Sequence, residues 1–185
     1  VQYIAIGMRL LIGVVFLASA VSKIMGRRAF GDFTTSLGGM RIMPPSLWRP
    51  AAILVIASEF AVCGLLAFPG PFTALAGFLL AAGLLAVFTV AVATAVHRGV
   101  RAPCRCFGGA ASPLGPRQIT RNLILVLCAV VGAVTAPMTG PLAPAGTAVA
   151  VFGGLVWGGL AVVSDEILDL FHPIDKAPGL ARDSR

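Results

Sequence analysis

Residues 51–96 read AAILVIASEFAVCGLLAFPGPFTALAGFLLAAGLLAVFTVAVATAV, and this stretch carries a single charged side chain, Glu59. Crossing a hydrocarbon core takes about 20 helical residues. The stretch therefore holds two membrane spans, about 51–68 and 72–96. Pro69-Gly70-Pro71 parts them, because proline lacks the amide proton and glycine allows a tight turn. Working outward, similar apolar runs occupy about 3–24, 119–136 and 145–164. The expected fold is an all-α integral membrane protein. About five transmembrane helices form a bundle over residues 1–164, followed by a tail at 165–185.

The composition agrees with lipid as the main solvent. Of 185 residues 58% are hydrophobic and only 11% charged, against about 25% charged in a soluble domain. The mean hydropathy is +0.95. The net charge of +7 comes from basic residues between apolar runs, which suits topology and anionic lipid. No basic stripe interleaved with aromatics points to nucleic acid. The first run is too long for the apolar core of a cleavable signal peptide, so none is expected.

The charge is one-sided. The connection after the first span holds Lys23, Arg27, Arg28, Arg41 and Arg49; that after the third holds Arg98, Arg101, Arg105, Arg117 and Arg121. The connections at 69–71 and 137–144 hold no charge. The positive-inside rule places the basic loops and the tail in the cytoplasm and the amino terminus outside. In the tail, Ile167, Leu168, Leu170 and Phe171 suit a short helix along the membrane surface as well as they suit a solvated segment.

Small residues punctuate the spans. Gly154 and Gly158 form a GxxxG pattern, and Gly77, Ala81 and Gly83 lie on the third span. Such residues let helices approach closely in lipid. Packing within the bundle is the expectation, with a homodimer contact as the alternative.

The chemistry-bearing segment is Pro103-Cys104-Arg105-Cys106-Phe107-Gly108-Gly109. Two thiols one residue apart in a polar, basic loop are poorly explained by packing. A Cys-x-Cys disulfide closes a small strained ring, and strained exposed disulfides are the labile kind. Arg101 and Arg105 favour thiolate over thiol. Together these supply an attacking sulfur, a resolving sulfur and access for a partner. The same pair also suits a soft-metal site with His97 as a third ligand, or thiols with a merely structural part.

Inside the spans lie Cys63 and Cys128, read as toward the uncharged side and nearer the basic side respectively. An electron relay to them is the sharper reading and packing the plainer one. Glu59 is placed near the bilayer middle, where a lone carboxylate is costly. Arg9 is taken as its partner, with Lys23 nearer the interface. The alternative for Glu59 is a proton-handling carboxylate beside a thiol or a quinone, although the sequence demands no cofactor. His97 and His172 read as boundary residues. No phosphate-binding glycine loop, zinc-protease motif or serine triad is present.

These residues resemble the methylamine-utilisation MauE family and, more widely, the DoxX-like membrane proteins. The resemblance runs from Arg9 to Phe16 and Ser22-Lys23 through Ala29-Phe30, then Glu59 with Gly64 and Phe88-Thr89 to Arg98-Gly99. It continues at Cys104-x-Cys106-Phe107-Gly108 and Arg121-Asn122. It spans roughly residues 5 to 135. Where the family often reads Asp-Cys-Gly-Cys, Pro103 and Arg105 stand in place of Asp and Gly. The resemblance implies a four-helix core plus one. It also implies a redox-associated membrane protein linked to thioredoxin-like partners and to the maturation of extracytoplasmic proteins. Such partners would want the thiols outside, whereas the charge asymmetry puts them inside; the charge is taken as the stronger guide.

The leading functional expectation is a membrane component of thiol–disulfide exchange. Cys104 and Cys106 are the exchanging pair, Arg101 and Arg105 tune them, and Glu59 with Arg9 supports the membrane core. The alternative is a non-catalytic accessory subunit that docks on a larger membrane complex through its small-residue faces. A metal or solute carrier has thinner support, since only Glu59 and Arg9 would line a path.

Overall fold

The computed structural model describes residues 1–25, 27–39, 43–99, 103–104, 112–113, 116–138 and 143–171. Six α-helices follow in chain order: α1 Gln2–Ile24, α2 Arg27–Gly39, α3 Trp48–Ala67, α4 Pro71–His97, α5 Pro116–Thr135 and α6 Pro144–Phe171. A short 3-10 turn, Pro45–Leu47, leads into α3. Five of the helices, all but α2, are long and apolar enough to cross a membrane. The extended pairing among the described residues is one short antiparallel bridge. It sets β1 Pro103–Cys104 against β2 Ser112–Pro113, with Cys104 opposite Ser112.

Proline sets the helix boundaries. Phe68, the residue before Pro69, is extended at φ −70° and ψ 132° and ends α3, as crowding by the proline ring dictates. The helices α4, α5 and α6 each begin on a proline, Pro71, Pro116 and Pro144. At that first position the missing amide proton costs nothing and the fixed φ already suits a helix. Hydroxyls within the spans turn back onto their own helix. Ser58, Thr89 and Thr135 each donate to the carbonyl four residues earlier at 2.7 Å, so they need no water.

At the centre of the bundle α1 packs against α3, α5, α6 and α2, while α4 closes onto α3 and α5. The main core joins Ile12, Val15 and Phe16 of α1, Val62 and Leu66 of α3, Phe78 and Leu85 of α4, and Leu125 and Ala129 of α5. Close approach needs small residues at two places. A Cβ on Gly132 would stand 2.4 Å from the Phe78 ring, and one on Gly77 2.8 Å from Leu66. Outward, large side chains such as Phe72, Leu79, Val87, Leu127, Phe152 and Trp157 lie bare. Apolar surface on this scale belongs in lipid.

The helix α6 is laid along α1. A Cβ on Gly154 would meet the Gly7 carbonyl at 2.5 Å, and one on Gly158 would meet Val14 at 3.1 Å. The GxxxG pattern is thus spent inside the bundle. Tyr3 fastens the start of the seam, its hydroxyl accepting the Ala143 amide at 2.8 Å. The helix continues unbroken to Phe171.

Residues 27–39, read from sequence as part of a connecting loop, form the helix α2. Phe33 and Leu37 on its inner face join Ala52 of α3 in a second, smaller core, with Val55 and Ile56 packed against it. The first turns of α3 therefore pack against α2, while its later turns join the main core.

Candidate functional site

The two cores meet around a buried polar cluster. Lys23, in the last turn of α1, reaches Glu59 in α3: its Nζ donates to Oε1 at 2.8 Å and to Oε2 at 3.1 Å. Both side chains are 1% exposed. Ser19, one turn before Lys23 on α1, ties the pair together. Its hydroxyl donates to Glu59 Oε1 at 2.9 Å and accepts from Lys23 Nζ at 2.6 Å. The Ser19 carbonyl also accepts from Lys23 at 3.2 Å. Phe33 of α2 places its ring 5.1 Å from the ammonium, the geometry of a cation–π contact.

This geometry corrects the expected pairing of Glu59 with Arg9. Arg9 sits near the other end of α1, where its Nη2 donates to the carbonyls of Phe68 at 3.3 Å and Gly70 at 3.0 Å. It braces the turn between α3 and α4. Lys23, expected nearer the interface, is the true partner and is fully enclosed. Ser19 and Phe33 were missed. The spacing of Ser19 and Lys23, four residues apart on one helix face, is the signal that could have flagged the first. Phe33 needed the fold of α2.

A cluster so closed has little freedom to bind anything. The ammonium and the Ser19 hydroxyl are hydrogen-bonded to the neighbours named, and the two charges cancel. Chemically it is a clamp between α1 and α3, covered by α2. Removing one partner would strand a charge away from water.

The other predicted site residues fall apart from it. Cys63 lies one turn after Glu59 on α3, half-buried against the main core; its thiol donates to the Gly13 carbonyl at 3.9 Å. Cys128 packs against the same core from α5. It lies past the midpoint of Pro116–Thr135, toward the uncharged end and not the basic one. Both are free thiols. Cys104 is described by its backbone alone, in the bridge whose strand β1 lies beside α2. Cys106, Arg101 and Arg105 lie outside the described residues, as does His172. Among the described residues no three His, Cys, Asp or Glu side chains gather as metal ligands would.

A model of the family described as methylamine utilisation protein MauE matches residues 1–135. The chain belongs to the MauE family. No curated protein and no solved structure matches it. The MauE match ends on Thr135, which is also the last residue of α5. It thus takes in α1 to α5, with the Lys23–Glu59 clamp, α2 and the Cys-x-Cys segment, and leaves α6 outside. As a MauE-family chain with five span-length helices, the protein is a multi-pass membrane protein.

Proposed function

We propose that the protein is the membrane component of a thiol–disulfide exchange system, with Cys104 and Cys106 as its exchanging pair. The observation that carries the reading is the Cys-x-Cys in a polar, arginine-bearing loop of a MauE-family membrane protein. In the direction that oxidises the chain, one thiolate attacks a disulfide sulfur of a thioredoxin-like partner. The partner's S–S bond breaks and a mixed disulfide forms. The second thiolate then attacks the first sulfur and releases the partner as a dithiol. Two electrons pass to the partner, and the chain keeps a Cys104–Cys106 disulfide. The reverse sequence reduces the chain. Arg101 and Arg105 would hold the thiols toward thiolate. The Lys23–Glu59 clamp would act at a distance, fixing α1, α2 and α3 as the platform beside which Cys104 enters.

The orientation that suits the charge bias has this loop in the cytoplasm. Thiol trapping in intact cells tests both statements, using membrane-permeant and membrane-impermeant maleimides before and after mild reduction. The reading expects part of the pair to be disulfide-bonded and released by reductant, and the impermeant reagent to miss it. A pair that stays fully reduced in every condition would sink the exchange mechanism.

A second reading has its own observation. The helix α6 packs on α1 and leaves most of its surface bare, as an accessory subunit docked on a larger membrane complex would. A stoichiometric partner that co-purifies equally well with the Cys104→Ser/Cys106→Ser variant would favour it.

A further inference from the structure

At the end of the bundle away from Cys104, a cavity of about 280 Å³ opens where the start of α1, the start of α4 and the end of α5 converge. Its walls are mostly apolar, among them Ala5, Ile6, Ala74, Phe78 and Ala136, with Gln2 as an uncharged polar side chain and Arg9 as its one cation. The three stretches that build this end, residues 1–10, 60–80 and 130–150, hold no acidic side chain. Arg9 is their only charged side chain. Both of its hydrogen bonds leave from Nη2, to Phe68 and Gly70, so Nη1 and Nε take no partner among the described residues.

Arg9 is paired with backbone carbonyls, as charged groups at membrane depth are found to be, and its remaining donors are left for a ligand in the cavity that it lines, with no acidic side chain among the described residues that line it.

We propose that this cavity binds the phosphate headgroup of a membrane lipid, with the phosphate against Arg9 and the upper acyl chain along Ile6 and Phe78. Two observations favour a lipid over a free anion. The walls are mostly apolar, and Arg9 lies seven residues into α1, roughly 10 Å at helical rise, within headgroup reach of the end. The site is independent of the thiol chemistry proposed above.

The test uses the full chain, delipidated in a neutral maltoside detergent. Native mass spectrometry would titrate phosphatidylglycerol, diacylglycerol and inorganic phosphate against it. The expected result is saturable phosphatidylglycerol binding, weakened about tenfold in Arg9→Gln, as loss of charge-assisted hydrogen bonds implies, and largely kept in Arg9→Lys. Ala5→Phe fills the cavity while leaving the Arg9 brace in place, and it should weaken binding as much. That variant keeps the test decisive if Arg9→Gln does not fold. Unchanged binding in Ala5→Phe would reduce Arg9 to a brace and overturn the proposal. Diacylglycerol binding as tight as phosphatidylglycerol, or inorganic phosphate displacing the lipid at equal concentration, would overturn the phosphate or the lipid assignment respectively.

Discussion

Two cations on α1 share a face and meet opposite surroundings. Arg9 and Lys23 are 14 residues apart, which is nearly four full turns and roughly 21 Å along the axis. From sequence either can face Glu59, and the deeper one, Arg9, is the natural choice. The structure gives Glu59 to Lys23, because α2 packs on the first turns of α3 and Glu59 comes level with the last turn of α1. Breaking a buried pair by removing one partner costs about 3–5 kcal/mol, whereas replacing both by apolar residues is often nearly neutral. Lys23→Met and Glu59→Leu should each lower stability by about that much, and the double variant should recover most of it. Thermal unfolding of the four proteins in one detergent reads this directly. Arg9→Gln, by contrast, should show no coupling to Glu59→Leu in the same cycle; a coupling above about 1 kcal/mol would restore the pairing expected from sequence.

At the scale of elements, the long helices announce themselves and the short one does not. In α2 the run Thr34-Thr35-Ser36 and Gly31, Gly38 and Gly39 are all poor helix formers, so local propensity argues for a loop. Its helix is held by packing: Phe33 and Leu37 under α3, and Gly38 pressed so near Trp48 that a Cβ would stand 2.7 Å from the ring. Phe33→Ala should therefore cost about 3 kcal/mol or more in thermal unfolding, whereas helix propensity alone would favour the alanine. The α1–α6 seam makes a sharper test. Gly154→Leu drives a side chain into the Gly7 backbone, while Gly153→Leu, the same change one residue earlier, meets nothing within 4 Å. A disulfide engineered across the seam should form in the second variant and fail in the first. Equal crosslinking in both would mean that α6 is not seated through its glycines.

For the whole molecule, the family match ends after α5, whereas the packing continues into α6. The four spans α1, α3, α4 and α5 supply the buried residues of the main core, and α6 lies along α1 with Ala161 and Val162 packed against that core. A chain ended at Met138 should still insert and melt cooperatively, since the face it bares, Gly7, Leu10, Leu11 and Val14, is one that lipid tolerates. Size-exclusion chromatography and a melting curve check this, and an aggregated product would show α6 to be part of the core. The sequence by itself determined that the protein lives in a membrane and how many helices are fit to cross it. Span-length apolar runs and the prolines between them are local properties that need no neighbour. It also singled out Cys104-x-Cys106, because a chemical pattern in a polar loop is legible without a fold. Which charges meet, that α2 is a helix, and that the GxxxG face is turned onto α1 were decided by tertiary structure alone. Each depends on the axial offset and rotation of one helix against another, and packing fixes those two quantities where hydropathy carries no record of them.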